Sequence, residues 1–310
     1  MNTTKSVCTA FHLNNRRANY KLNIRDNISN SYLPPHDAPK YLGVTLDRSL
    51  TYKQHMENTA QKLKKRSSLI RKLAGTNWGA SPSTLRTSAL ALCYSAAEYC
   101  APIWARCAHT NKLDVQLNST MRIISGALTP TPTEWLPVMA SIAPPHLRRE
   151  EATQKMFQRI ATLDDETPLK TVLHTAPASD RLKSRKPFYK TFTPDFNVKE
   201  AWRVEWNNKL PPGGNLVSDP TKPLPGFKTL TRKQWVQANR IRSRCGRTAK
   251  NLHRWGYRDS PTCPQCKATD QDMDHLILHC TRTAITGGYQ TAHDARDEFC
   301  NWLAEINPGV

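Results

Sequence analysis

The sequence predicts a mainly helical architecture: a short β segment, a helical bundle, a proline-rich linker and a small C-terminal Cys/His domain. Three observations carry this. Apolar residues recur at helical spacing through the middle of the chain, nine prolines crowd residues 164–230, and cysteine and histidine stand at metal-ligand spacing from Cys263 to Cys280. The expected boundaries are residues 1–50, 51–163, 164–230 and 231–310.

Within residues 1–50, stretches 7–13, 20–24 and 40–47 read as short strands. Their β-branched and apolar residues are broken by Asn-rich turns and Pro34-Pro35. Three such strands form a poor domain by themselves, because their edges need partners. From Leu50 the period becomes helical. Met56, Ala60, Leu63, Ser67, Ile70 and Ala74 share one face, while Lys62, Lys64, Lys65, Arg66, Arg71 and Lys72 crowd the rest, and Gly75 ends the helix. Ser81-Pro82 starts a second helix as N-cap and first residue, with Leu85, Ala89, Leu92, Ala96, Tyr99 and Ile103 as its buried stripe. Cys93, Cys100 and Cys107 recur every seven residues, roughly 10 Å apart on a helix, too far to share an ion; they read as small buried fillers. A third helix spans 111–124, with Leu113, Leu117, Met121 and Ile124 inward. A fourth spans 145–163, with Arg148, Arg149, Lys155 and Arg159 outward. Four helices joined by short loops predict a bundle.

The prolines of residues 164–230 predict a linker or extended wrap. Within it Arg181, Lys183, Arg185, Lys186 and Lys190 alternate with Phe188, Tyr189 and Phe192, a pattern suited to gripping phosphates and stacking unpaired bases, or to docking on the bundle. A basic helix over 231–244 carries Arg240, Arg242 and Arg244 and leads through Trp255 to Cys263-Pro-Gln-Cys266. Trp255 is either a stacking surface or the core of the small domain. Two cysteines two residues apart aim both thiolates at one point, and a His and Cys on a following helical turn complete a tetrahedron, so Cys263, Cys266, His275 and Cys280 predict a structural zinc site. His279 competes with His275. The latter is preferred because its spacing to Cys280 is that of nucleic-acid-binding zinc knuckles, although the eight-residue gap before it is longer than the four of retroviral knuckles. Met273, Leu276, Ile277 and Leu278 are the apolar groups for a mini-domain folded by its metal, so zinc loss is expected to unfold only this tail. Residues 294–303 read as a closing helix.

Forty-five Lys and Arg against 25 Asp and Glu leave a net charge of +20, which favours phosphate backbones over anionic membranes as partners. Nine cysteines without a secreted framework point to a reducing compartment, nucleus or cytoplasm. The polar N-terminus lacks a secretory signal, and no apolar run approaches the roughly 20 residues needed to span a bilayer.

Three groups of residues carry a family resemblance: Lys40-Tyr41-Leu42-Gly43-Val44-Thr45-Leu46-Asp47, Glu98-Tyr99-Cys100-Ala101-Pro102-Ile103-Trp104 with Leu117-Asn118-Ser119-Thr120-Met121-Arg122, and Asn239-Arg240-Ile241-Arg242-Ser243 with Trp255-Gly256 and the cysteine cluster. Together they resemble the C-terminal portion of reverse transcriptases from jockey-type non-LTR retrotransposons (LINEs). The resemblance implies that residues 5–50 end a palm, with Tyr41, Leu42 and Gly43 in a primer-gripping hairpin. It makes the bundle a thumb and the tail a nucleic-acid binder. In that family the aspartates that hold two Mg²⁺ ions lie upstream of the matched stretch. The sole Asp-Asp here, Asp164-Asp165, sits at a helix end with no strand on either side, so no catalytic residue and no polymerase activity are expected of this chain alone, and Mg²⁺ belongs to the complete polymerase. The expected function is binding of RNA or an RNA/DNA primer-template, with the upstream polymerase portion as a further partner. The alternatives are a protein-interaction or assembly module with a purely structural zinc site, and a non-functional product of a truncated element.

Overall fold

The structure is a computed structural model and describes residues 6–12, 14–27, 30–175 and 195–306. It is mainly helical, with a single two-stranded ladder among the described residues. The chain divides into two compact units, each assembled from three segments. Met1–Lys64, Ala96–Gln116 and Arg148–Phe196 form one; Lys65–Ser95, Leu117–Leu147 and Asn197–Val310 form the other. Among the described residues no helix is long and apolar enough to cross a membrane.

In the first unit, the strands expected at 7–13 and 20–24 shrink to isolated bridges, Cys8 with Pro35 and Arg25 with Tyr32, and Asn15–Ala18 forms a helical turn. The third expected strand folds back on itself as Lys40–Tyr41 against Val44–Thr45. The cause lies at its middle: Leu42 and Gly43 both take positive φ, 44° and 87°, as tight two-residue hairpin turns of the primed type require. The Tyr99 hydroxyl donates to the Leu42 carbonyl at 2.9 Å, and a Cβ on Gly43 would lie 2.8 Å from the Tyr99 ring. Behind the hairpin, Thr45 N–H donates to His55 Nδ1 at 3.3 Å. Burial, with Lys40 adding to it, pulls the His55 pKa down.

Helix Lys53–Lys72 buries Met56, Leu63, Ser67 and Ile70 as its period predicts. Helix Pro82–Ala89 starts on the Ser81 hydroxyl, which accepts from Thr84 N–H at 3.2 Å, and continues into a π-helical turn, Leu90–Tyr94. That turn carries an extra residue and advances the buried face by one position. The buried set becomes Leu85, Ala89, Cys93, Ala97, Ala101 and Trp104, while the expected Leu92, Tyr99 and Ile103 are exposed. Cys100, at φ 53°, interrupts the helix. Helix Asn111–Ser125 buries Leu113, Leu117, Met121 and Ile124 as expected. In helix Pro145–Ala161, Arg149 departs from its expected outward place: it is buried and bidentate on Asp114, at 2.5 and 2.9 Å.

The second unit holds the larger core and corrects the linker reading for residues 197–230. This stretch contains helix Val198–Asn208, capped by the Asn197 side chain, and buries Trp202, Trp206, Val217, Leu224, Phe227 and Leu230. Its prolines turn corners without leaving the chain extended. At one of them the Pro212 carbonyl accepts from Trp135 Nε1 at 3.1 Å. Trp135, in the unexpected helix Trp135–Ala140, stacks edge-on against Trp206 with ring centres 5.4 Å apart. Helix Arg232–Arg242 begins with a capping box between Thr231 and Gln234 and sinks Trp235, Ala238 and Ile241 into the same core. Helix Asp297–Ile306 closes the unit with Phe299, Trp302 and Leu303. The basic-aromatic run at 181–192 lies outside the described residues.

Candidate metal centre and nucleic-acid interface

Short backbone hydrogen bonds shape the Cys/His segment. Cys263 N–H donates to Thr269 O at 2.8 Å, Lys267 N–H returns to Cys263 O at 3.0 Å, and Lys267 takes φ 58°. The result is a tight knuckle with Cys263 and Cys266 on one side. Opposite them His275–His279 is a π-helical turn in which Cys280 N–H donates to His275 O at 2.7 Å. On an ideal α-helix residues five apart point about 140° away from each other. The wider turn reduces that divergence, which lets His275 and Cys280 face one point.

The four ligand atoms lie within 4.8 Å of one another. Cys263 Sγ is 3.9 Å from Cys280 Sγ, and Cys266 Sγ is 3.4 Å from His275 Nε2. A tetrahedron with Zn–S near 2.3 Å and Zn–N near 2.0–2.1 Å has edges of roughly 3.8 Å between sulfurs and 3.6 Å from sulfur to nitrogen. The two printed edges match, and with the longest separation within 4.8 Å the four residues suit a tetrahedral metal ion after a small inward shift. His275 belongs to the convergent group, and His279 is exposed and lies outside it. His275 Nδ1 is 3.1 Å from Thr269 Oγ1, the outer-shell contact that fixes ring orientation and leaves Nε2 for the metal. Burial raises the Cys263 pKa, whereas at Cys280 the opposing effect of burial is outweighed by the Thr283 hydroxyl, nearby amides and Cys266, bringing it to about 6. Among the described residues no second group of three or more His, Cys, Asp or Glu side chains converges, and Asp165 of the Asp-Asp pair is exposed beside Lys170 at 2.7 Å.

Gln271, which spacing did not single out, clamps the knuckle. Its Nε2 lies 3.6 Å from Cys263 Sγ, its Oε1 accepts from Ala249 N–H at 2.9 Å, and its carbonyl accepts from Lys250 N–H at 3.0 Å. Met273, Leu276 and Ile277 are buried in the core that also contains Trp135, Trp202 and Trp235. The knuckle is consequently part of a larger core and not an independent mini-domain; Leu278, expected inside, is exposed. Zinc loss is therefore expected to reach beyond the tail.

No family model matches this chain, and no curated protein or solved structure is found to be similar to it.

The basic residues divide sharply. Lys62, Lys64, Lys65, Arg71 and Lys72 are exposed, while Arg66 is half-buried and donates to the Leu92 carbonyl. Arg240 and Arg242, expected on the nucleic-acid face, are buried. Arg240 donates to Gly126 O at 3.1 Å, and Arg242 to the carbonyls of Pro225 and His293, each at 2.7 Å, and to Asn239 Oδ1 at 3.2 Å. These guanidiniums hold the core and are closed to phosphates. Arg244 stays exposed, stacked 4.5 Å from the Tyr289 ring centre and 3.7 Å from Asp274. Tyr41 and Leu42 are exposed on the hairpin. Trp255 is half-buried at the wall of a cavity of about 490 Å³. Arg247 and Tyr257 share that cavity; the signal that could have found it is Gly256 directly after a short helix.

Proposed function

We propose that this chain is the C-terminal, non-catalytic portion of a retrotransposon-type reverse transcriptase, that it binds RNA or an RNA/DNA primer-template, and that a structural zinc ion holds its C-terminal unit together. The observation that carries the reading is the convergence of Cys263, Cys266, His275 and Cys280, their ligand atoms within 4.8 Å of one another, in a chain of net charge +20. The exposed lysines of helix Lys53–Lys72 supply phosphate contacts, and the knuckle braces the arginine helix from which Arg244 emerges. The test joins metal content with a salt titration of RNA binding. One zinc per chain is expected, with affinity falling roughly 10²-fold or more between 50 and 200 mM salt for about six phosphate contacts. A flat salt response would remove the reading. A second reading, an assembly module, is favoured by the exposed Phe11, Tyr20, Tyr32, Tyr41 and Leu42 of the first unit. Light scattering on a chain that self-associates and ignores RNA would select it.

A further inference from the structure

Helix Ala249–Arg254 ends in a left-handed cap. Gly256, at φ 74°, donates its N–H to His253 O at 2.9 Å, and Tyr257 donates its N–H to Leu252 O at 2.9 Å. This is the Schellman arrangement, which needs a residue that tolerates positive φ and sets the next residue against the last helical turn. Its effect is to mount Tyr257 beside Leu252 and Trp255 as one wall of the 490 Å³ cavity. Tyr257 remains 80% exposed, so neither core packing nor a buried hydroxyl accounts for its placement. The loop 128–130 also lines the cavity. Arg122 fastens that loop from below, donating to the carbonyls of Leu128, Thr129 and Thr131 at 3.3–3.4 Å. Arg247 is the one charged side chain in the lining, which has no carboxylate.

We infer that this cavity holds a single unpaired nucleotide of a nucleic-acid strand, its base stacked on Trp255 and Tyr257 and its phosphate paired with Arg247. Aromatic faces with an adjacent guanidinium recognise a flat π-system joined to an anion. A paired base cannot turn its face to such a wall, so a single-stranded segment is the ligand. The inference rests on the nucleic-acid reading above and adds where and how a base is held.

The test compares the full chain, zinc-loaded, on 12-nucleotide uridine RNA, the matching DNA and an abasic strand of equal charge. The parent chain should bind the base-bearing strands about 10-fold more tightly than the abasic one, by the magnitude of base–aromatic stacking. Tyr257→Ala should erase that ratio and leave abasic binding unchanged, Tyr257→Phe should restore it, and Arg247→Ala should weaken all three strands. Thermal melting of each variant checks folding, and Tyr257, being exposed, leaves the core intact. RNA and DNA arms that respond alike assign the pocket to the base alone; RNA alone responding adds the ribose. Equal binding of base-bearing and abasic strands by the parent, or a ratio untouched by Tyr257→Ala, would overturn the pocket while leaving phosphate binding standing. Failure of the parent to bind any strand would overturn both.

Discussion

Two helices of this protein look alike in sequence and behave oppositely. Lys53–Lys72 and Arg232–Arg242 are both rich in cations over an apolar stripe, yet the first presents Lys62, Lys64, Lys65, Arg71 and Lys72 to solvent and the second buries Arg232, Arg240 and Arg242. Arg71 is exposed too, so the difference lies in what each cation can reach: the three buried guanidiniums meet backbone carbonyls. An ammonium is strongly hydrated and has no fixed geometry, whereas a guanidinium is more weakly hydrated and offers five donors in a planar fork. Arg232 uses that fork on Gly75, Ile123 and Ile124 carbonyls at 2.6–2.9 Å. Two of those carbonyls belong to the end of helix Asn111–Ser125, where partial negative charge favours a cation. Burial pulls Arg232 to about 10 and Arg242 to about 9, so both stay charged at neutral pH. A run of arginines in the sequence therefore does not by itself mark a nucleic-acid surface.

Removing zinc should give the largest effect, and it should fall on the arginine helix. Structural zinc contributes on the order of 10 kcal/mol, and Met273, Leu276 and Ile277 share a core with Trp235 and Ile241. Chelation, or Cys280→Ser, is expected to accelerate amide exchange in 232–242 and 198–208 as well as in the knuckle. Exchange confined to residues 261–285 would break the tie between knuckle and helix.

Next in size is Arg242→Lys. One ammonium cannot replace the fork that reaches Pro225, Asn239 and His293, so urea denaturation should show a loss of about 3 kcal/mol. The same exchange at Arg71, on the exposed helix, should change nothing measurable. Equal costs at both sites would remove the contrast.

The pH dependence sharpens it further. Burial, reinforced by Arg242 and opposed by Asp294, lowers the His293 pKa from 6.5 to about 4. The unfolded chain then takes up a proton below 6.5 that the folded chain refuses until about 4. Stability is full above pH 6.5 and falls as pH drops through that window, by up to about 3 kcal/mol. With zinc saturating, His293→Gln should flatten that part of the acid slope relative to the parent; an unchanged slope would mean that His293 is not held neutral.

Lys62→Ala, Lys64→Ala and Lys65→Ala combined should leave stability within about 0.5 kcal/mol. They should lower the salt slope of single-strand RNA binding by about 2, the share of three phosphate contacts. An unchanged slope would take the lysine face out of the interface.

Local spacing sufficed for the helix over Lys53–Lys72, the Ser81 cap and the inward face of Asn111–Ser125, because each is set by neighbours within a turn or two, and it also named the four residues that converge as the Cys/His cluster. Spacing failed where a single residue changed the phase: the π-turn at Leu90–Tyr94 moved the buried face, and positive φ at Leu42 and Gly43 turned one expected strand into a hairpin. It failed again where partners come from far along the chain. Trp202 and Trp206 could be placed only once Trp135 was opposite them, and Arg149 and Arg242 read as surface charges until Asp114 and the Pro225 and His293 carbonyls were in reach. By itself the sequence determined most of the periodic helices, the members of the Cys/His cluster and the charge. Which cations are buried, which prolines lie in a core and where a cavity opens was decided by tertiary structure, because desolvation and long-range hydrogen bonding depend on neighbours that local sequence does not name.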